Sequence, residues 1–180
     1  KIHLHGSFKE TYQGHGTDKA IIGGLLGLST SDKLIKKSFE LAKEKGMEFN
    51  FIPTDLDAEH PNTVKLEMAD KEEKITTTVA SSIGGGSIIV RKINGVDVEL
   101  TGEYHTLITL HKDKPGMIAK ISTILEDYDL NIAKMKVVRQ SKGTLATAII
   151  ELDEKLEKSI LDLIAQIDEM QSVRIVNPIE

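Results

Sequence analysis

A dense group of polar side chains lies between residues 3 and 20, in the stretch HLHGSFKETYQGHGTDKA. It combines three histidines and three glycines with hydroxyl and acidic side chains. Residues of these types can bind a metal ion, cradle a phosphate or form a nucleophile with its base. They can also simply satisfy the backbone of a turn between a strand and a helix. The stretch therefore has four interpretations, and each requires a particular spacing.

A metal site is the first interpretation. Alternation along a strand places His3 and His5 on the same face, and imidazole and carboxylate are common metal ligands. The histidines have hydroxyl neighbours in the sequence, whereas metal-bound imidazoles are normally oriented by a carboxylate or a carbonyl. We therefore expect this chain to hold no metal. The residues that would be the ligands are His3, His5, His15 and Asp18.

Spacing also weakens the phosphate-loop and nucleophile interpretations. A glycine loop that begins with Gly14 and Gly16 needs a third glycine at position 19, where the chain has Lys19. The nucleophile interpretation lacks the GxSxG turn that exposes a catalytic serine. Its residues would be Ser7, His15 and Asp18. On residue types alone, a loop whose side chains satisfy local backbone groups is the simplest interpretation.

Composition limits the classes of function. The 180 residues carry a net charge of −5, and only Arg91, Arg139 and Arg174 are arginine, so no binding to nucleic acid is expected. No apolar run approaches the roughly 20 residues of a membrane span, and no association with a membrane is expected. The lack of cysteine excludes disulfides and iron–sulfur ligation by thiolates of this chain. Nothing at the start resembles a signal peptide, so we expect a cytoplasmic protein.

A short strand and a helix are expected to position the polar group. Residues 1–5 have the alternation of a strand, and residues 6–16 are expected to form a loop. A helix then begins with Thr17 or Asp18 as its N-cap and continues to about Leu28. This helix is intrinsically weakened by Gly23, Gly24 and Gly27, and we expect it to pack closely against backbone.

A second helix and a run of strands complete the first half. The helix is capped by Ser31 or Asp32, and Gly46 ends it. Its expected apolar stripe is Leu34, Ile35, Phe39, Leu41 and Ala42. Alternating segments then predict strands at 47–52, 63–69, 74–83, 86–93 and 96–101. Asn94-Gly95 is a strong hairpin signal. The order indicates an α+β domain over residues 1–101, with the strands in an antiparallel meander.

The second half has the order βαββαβ, which is the ferredoxin-like motif. Strands are expected at 104–111, 131–140, 144–153 and 172–176. Helices are expected at 114–129, with Pro115 in the first turn, and at 154–168. The apolar face of the last helix would be Leu156, Ile160, Leu161, Leu163, Ile164 and Ile167. Because both helices cover one sheet face, the other face or an edge strand is free to pair with a second copy.

The segment HKDKPGMIAKISTILEDYDLNIAKMKV resembles the ACT domain, a regulatory module that usually binds amino acids. The resemblance covers residues 104–177, within a second domain at 104–180, and is carried by Asp113, Pro115 and Gly116 and then by Leu130-Asn131-Ile132. N–H groups at a helix start suit a carboxylate. The resemblance implies an amino-acid site in a solvated pocket. Its residues would be His111, Asp113, Gly116 and Asn131, where similar modules of phosphoglycerate dehydrogenase have asparagine in place of Asp113.

The whole chain resembles the β subunits of bacterial iron–sulfur-dependent L-serine dehydratases. The motifs that carry the resemblance are His5-Gly6-Ser7, Thr11, Gly14-His15-Gly16-Thr17-Asp18 and Ser82-Ile83-Gly84-Gly85-Gly86, followed by the ACT segment. The resemblance implies an allosteric-substrate-binding type of fold for the first domain and a serine-rich segment upstream of Lys1. The three glycines at 84–86 are expected to form a backbone bulge rather than a ligand loop.

The resemblance also implies a reaction and partners. L-serine would be converted to pyruvate and ammonia, with a 4Fe–4S cluster ligated by cysteines of an α subunit rather than by this chain. His5, Ser7 and His15 would be catalytic candidates at the interface with the α subunit. The substrate-binding candidates would be Gly6, Thr11, Gly14, Gly16, Thr17 and Asp18. The isolated chain would be inactive, L-serine or another small amino acid would bind the ACT domain, and copies would associate through it.

Two other hypotheses remain open at this point. The chain would be a serine-sensing regulatory module of the phosphoglycerate-dehydrogenase type, without catalysis. Alternatively, it would be an ACT-type homo-oligomer whose role is assembly alone. The polar loop with HGS and GHGTD favours the enzyme, because a pure sensor has less reason to keep that loop so polar.

Overall fold

The computed structural model describes residues 1–58, 60–139 and 141–179. The chain forms two compact units, Lys1–Leu100 and Thr101–Ile179, and each has its own sheet. Among the described residues, no helix is long and apolar enough to cross a membrane.

The first unit is built on a six-stranded sheet in the order β2-β1-β3-β4-β5-β6. The strands are β1 (Ile2–His5), β2 (Phe51–Pro53), β3 (Thr63–Ala69), β4 (Ile75–Gly84), β5 (Ser87–Ile93) and β6 (Val96–Leu100). β3 to β6 form the expected antiparallel meander, but β2 does not belong to it. β2 is shorter than the expected strand at 47–52 and pairs in parallel with β1, which separates it from β3.

Helices of the first unit differ from the expectation in three places. They are α1 (Ser7–Thr11), α2 (Thr17–Leu25), a 3-10 helix (Lys33–Lys37) and α3 (Ser38–Glu44). The segment 6–16 is therefore not a simple loop, because its first half is helical. α2 ends at Leu25 rather than near residue 28, and the second expected helix is divided, with its 3-10 part capped by Asp32.

The core of the first unit explains these elements. Alternation along β1 buries Ile2 and Leu4, and they pack with Ile22 of α2 and Ala42 of α3. Helix α1 is stabilised by Phe8 and Tyr12, which lie four residues apart on one helical face and pack on this core. Two details of the expected helices were wrong. Gly23 packs against the Ile35 side chain, not against backbone, and Leu34 is exposed.

Two tight turns join the strands of the meander. Asn94 and Gly95 both have positive φ and connect β5 to β6, which confirms the hairpin. Gly84, Gly85 and Gly86 also have positive φ and join β4 to β5, next to a register shift between Ser82 and Gly84. The three glycines thus serve the backbone of a bulged hairpin, as expected.

The second unit is a four-stranded antiparallel sheet with two helices. Its elements are β7 (His105–Lys112), α4 (Met117–Asp127), β8 (Ile132–Arg139), β9 (Leu145–Leu152), α5 (Lys158–Ala165) and β10 (Met170–Val176). The order β10-β7-β9-β8 confirms the ferredoxin-like motif. Helix α4 begins after Gly116, so Pro115 lies in the preceding turn rather than in the helix.

The core of the second unit lies between the helices and the sheet. It is formed by Leu107, Ile121, Leu125, Ala148, Ile150, Leu152, Leu156, Ile160 and Ile164. The expected apolar face of the last helix was wrong at two points. Leu163 is exposed, and Leu156 is buried but precedes the helix, which begins only at Lys158.

Candidate functional site

The predicted catalytic residues of the first unit follow the carboxyl end of β1. β1 and β2 are parallel neighbours, so the segments that leave them emerge at the same edge of the sheet. His5 is the last residue of β1, and Ser7 begins α1. The segment after β2, residues 54–58, lies beside them because Leu56 bonds to His5. Crevices at the carboxyl ends of parallel strands are common ligand sites.

Gly6 makes the turn between β1 and α1. Its φ is +56° and its ψ is −126°, a backbone conformation that residues other than glycine rarely adopt. A Cβ atom at this position would lie 2.4 Å from the carbonyl oxygen of Pro61. The glycine is therefore required by geometry, and this requirement accounts for it without a contact to substrate.

Hydrogen bonds connect three of the predicted site residues, Ser7, Thr11 and His15. The Thr11 hydroxyl donates to the Ser7 carbonyl at 2.8 Å, and the Thr11 carbonyl accepts from the His15 amide at 3.1 Å. The Thr11 proton is thus engaged, and the hydroxyl can only accept from a substrate in this state. Ser7 and His15 are exposed, and their side chains have no hydrogen-bond partner among the described residues.

Gly14 to Asp18 form the turn into α2. Gly16, with φ at +71°, is the N-cap residue, and Thr17 is the first helical residue. The expected capping role of Thr17 or Asp18 was therefore wrong by one or two positions. Asp18 is only 8% exposed and its Oδ1 accepts from the Lys19 amide at 2.7 Å, so its carboxylate faces inward at the helix start. Gly14 is exposed and has an ordinary backbone conformation.

The histidines of this region have separate partners rather than a shared ion. His3 Nδ1 lies 3.3 Å from Thr54 Oγ1, and His3 Nε2 lies 3.5 Å from a carboxylate oxygen of Glu67. His5 Nδ1 accepts from the Leu56 amide at 3.0 Å. In the part of the chain that the structure describes, no three histidine or acidic side chains are arranged to hold a metal.

A cavity of about 660 Å³ opens at the other end of β1. Its apolar lining includes Ile2, Leu25, Met47 and Phe49, and its lining contains none of the predicted site residues. Because β1 runs from Ile2 to His5, this cavity and the polar group lie at opposite ends of the strand.

In the second unit, Asp113 and Gly116 lie in the turn between β7 and α4. Gly116, with φ at +87°, precedes α4 as its N-cap residue and provides no side-chain cap. Asp113 Oδ2 accepts from the Gly143 amide at 2.9 Å and lies 3.6 Å from Arg139 Nη1. The carboxylate of Asp113 therefore already has partners in its own chain.

His111 is buried, which contradicts the expectation of a solvated pocket. Only 2% of the residue is exposed, and Nδ1 lies 3.2 Å from the Ala146 carbonyl oxygen. Since a carbonyl only accepts, Nδ1 carries the proton, and Nε2 has no partner among the residues described. Burial lowers the pKa of His111, and the charge of Asp113 opposes this shift.

Asn131 does not meet the other three residues within one chain. His111 and Lys112 pair with the start of β9, whereas Ile132 pairs with Leu152 at its end. Seven residue steps along a strand separate the two ends by roughly 23 Å. Asn131 instead donates from its side-chain Nδ2 to Asp153 Oδ2 at 2.6 Å. Its backbone N–H donates to Glu154 Oε2 at 2.8 Å.

Two ion pairs near these sites were not predicted from the sequence. Lys9 pairs with Asp55, and Lys114 pairs with Glu169. A hydrogen bond from Lys114 and the charges of Lys112 and Lys120 hold the pKa of Glu169 below its ordinary range, against an opposing effect of desolvation. The partners are 46 and 55 residues apart, so no local pattern indicates them.

The fold and the turn between β7 and α4 define the class of the second unit. The family model of the ACT domain matches residues 105–169. The chain is also 39% identical over 166 residues to the "Probable L-serine dehydratase, beta chain" of Bacillus subtilis (strain 168), a match that covers 92% of this chain and 75% of that one. It is 35% identical over 177 residues to the "L-serine dehydratase, beta chain" of Peptoniphilus asaccharolyticus, covering 98% and 80%. The chain therefore belongs to the family of L-serine dehydratase beta chains.

D-3-phosphoglycerate dehydrogenase of Bacillus subtilis (strain 168) is a more distant relative. It is 28% identical over 137 residues, which are 76% of this chain but 26% of the dehydrogenase. The matched length is about twice that of the ACT segment 105–169, so the similarity extends beyond the ACT domain.

Proposed function

We propose that this chain is the β subunit of an L-serine dehydratase, which converts L-serine to pyruvate and ammonia together with an α subunit. Two relatives of that name match nearly the whole chain. The observation that carries the proposal is the exposed polar group at the carboxyl end of β1, where Ser7 and His15 lack partners among the described residues. An α subunit placed there would complete a pocket at the interface.

The residues of this chain offer no thiolate ligand for an iron–sulfur cluster. The chain has no cysteine, and its described residues contain no group of three possible metal ligands. In this proposal a 4Fe–4S cluster therefore belongs to the α subunit. The role of the β subunit is to bind and orient the substrate and to move protons with its own side chains.

Each exposed group of the polar region has a distinct role in the proposal. The Ser7 hydroxyl donates a hydrogen bond to the substrate carboxylate, whereas the Asp18 and Lys19 amides at the start of α2 are already bonded within the chain. The exposed imidazole of His15 can approach the substrate and carry a proton. Gly6, Gly14 and Gly16 shape the backbone that presents these groups, and Thr17 lies half-buried at the helix start.

Reconstitution under anaerobic conditions tests this function. The chain is mixed with a cysteine-bearing α chain of the same family, and pyruvate is measured with and without L-serine. We expect serine-dependent pyruvate only when both chains are present, with each chain alone as the control. Failure with every such α chain, despite formation of a complex, would overturn the enzyme proposal.

We propose further that the ACT domain binds L-serine or another small amino acid between two copies. The start of α4 suits the carboxylate of the ligand, because Gly116 and the lysines at 112, 114 and 120 lie there. Asn131 lies at the far end of the same sheet, so a site that uses both requires a second copy placed against the first. Sedimentation across a dilution series, with and without serine, tests this association, and a strict monomer under both conditions would contradict it.

A second candidate function is a serine-sensing regulatory module without catalysis. The similarity to phosphoglycerate dehydrogenases beyond the ACT segment favours it, and it agrees with an allosteric-substrate-binding type of fold for residues 1–101. Calorimetry distinguishes the two functions when it is combined with the reconstitution. Serine binding by the chain without pyruvate formation in any complex would favour the sensor.

A further inference from the structure

A short segment after β2 contacts both histidines of β1. We call residues 54–58 the strap. Its first residue receives a backbone bond, because the Thr54 amide donates to the Leu4 carbonyl at 2.9 Å. The strap lies on the face of the sheet that carries His3 and His5. Ile2 and Leu4 point to the opposite face, where they pack with the helices. The strap therefore lies against the residues that follow the carboxyl end of β1.

The strap fixes the protonation pattern of His5. The amide of Leu56 can only donate, and it points to His5 Nδ1 at 3.0 Å. A nitrogen that accepts a hydrogen bond carries no proton, so the proton of neutral His5 lies on Nε2. Protonation of Nδ1 would break the bond to Leu56. Nε2 has no hydrogen-bond partner among the described residues, and His5 is partly exposed.

His3 has the opposite pattern and serves as an internal comparison. The hydroxyl of Thr54 donates its single proton to the Ile52 carbonyl at 3.0 Å, so it accepts from His3 Nδ1. Nδ1 of His3 therefore carries a proton. Its Nε2 is buried and lies 3.5 Å from a carboxylate oxygen of Glu67. Both nitrogens of this ring therefore face groups of the chain itself, and neither is available to a substrate.

The charged groups around His5 agree with a fixed donor. Asp55 of the strap lies close to His5 and is paired with Lys9 of α1. The hydrogen bond from Lys9 holds the pKa of the Asp55 carboxyl below its ordinary range, and the two side chains join the strap to α1. Asp55 is thus engaged by a lysine and is not the residue that takes a proton from His5.

We propose that His5 is a hydrogen-bond donor to a substrate oxygen through Nε2, held in this state by the Leu56 amide, and is not the base of the reaction. The proposal rests on the proposed dehydratase function, and it leaves His15 as the proton carrier. Lys9 and Asp55 are positioning residues, because their ion pair joins the strap to α1. The acceptor is the carboxylate or hydroxyl oxygen of a small amino acid.

The protonation pattern is measured first, and this measurement does not depend on enzymatic activity. Two-bond 1H–15N correlation spectra of the full chain at neutral pH report the protonated nitrogen of each imidazole, with His5→Gln and His3→Gln used to assign the signals. We expect a proton on Nε2 of His5 and on Nδ1 of His3. A proton on Nδ1 of His5 would overturn the proposal whether or not the chain is a dehydratase subunit.

The kinetic role is measured in the reconstituted enzyme with His5→Gln and His5→Ala. Glutamine keeps an N–H donor near the position of Nε2 but cannot act as a base near neutral pH. A donor role predicts that His5→Gln keeps kcat/KM within about tenfold and leaves the pH profile unchanged, whereas His5→Ala loses about ten- to a hundredfold. A base role predicts equal losses of about a hundredfold or more in both variants, with a changed pH profile, and this result would overturn the assignment. If the complex with the unmodified chain forms no pyruvate, the proposed function is contradicted. The spectra would still show which nitrogen of His5 carries the proton.

Discussion

Substitution of Gly6 by alanine tests whether the turn after β1 is dictated by backbone geometry. The positive φ of Gly6 costs a non-glycine residue about 1 to 3 kcal/mol. The added Cβ would also lie 2.4 Å from the Pro61 carbonyl oxygen, and this overlap with backbone adds about 1 to 3 kcal/mol. Gly6→Ala should therefore lower the free energy of unfolding by about 2 to 6 kcal/mol.

Gly14→Ala in the same segment is the matched control. Gly14 has an ordinary φ, and its added Cβ would meet only the Thr11 carbonyl oxygen at 3.8 Å. This variant should change stability by less than about 1 kcal/mol. Urea unfolding followed by circular dichroism gives both values, and heating should lower the melting midpoint by about 4 to 8 °C per kcal/mol for a unit of this size. Equal stability of the two variants would refute the argument from the geometry of Gly6.

Three further predictions concern the second unit. Ile164→Ala should cost about 2 to 5 kcal/mol because this side chain is fully buried, whereas Leu163→Ala should cost about 1 kcal/mol or less, as measured by urea unfolding. Burial lowers the pKa of His111 below 6.5, so the unfolded chain takes up a proton before the folded chain does. The free energy of unfolding should therefore fall as the pH drops below 6.5, level off below the folded pKa, and fall less steeply in His111→Gln. Asn131→Ala should weaken serine binding about tenfold in calorimetry and leave folding unchanged, and unaltered binding would place the ACT ligand elsewhere.

Local patterns predicted much of the fold. Alternating or continuous apolar segments indicated β3 to β6 and the strands of the second unit, of which β9 is buried on both faces. Asn94-Gly95 predicted its hairpin because both residues adopt positive φ there. The parallel pairing of β2 with β1 could not be predicted, since a three-residue strand carries no signal that identifies its partner. Helix α1 was missed because a helix of five residues has little helical periodicity, although Phe8 and Tyr12 have helical spacing.

The candidate site was less predictable than the fold. The motifs indicated segments that follow β1, but Leu56 of the strap is 51 residues away from His5 and the strap has no motif of its own. The burial of His111 was missed because alternation along β7 does not say which face the helices cover. Asn131 was grouped with residues that lie at the other end of its sheet, because a sequence motif does not show at which end of a sheet each of its residues lies.

The most direct test of the central claim is a titration of a fixed amount of the α chain with this chain under anaerobic conditions. The initial rate of pyruvate formation from L-serine is measured at each ratio. If this chain completes the substrate pocket, the rate should rise from near zero and reach a plateau at a fixed stoichiometry, and Gly6→Ala should need more chain or reach a lower plateau. A rate that is already maximal with the α chain alone, or that stays at zero at every ratio although the two chains bind each other, would contradict the proposed role as a catalytic β subunit.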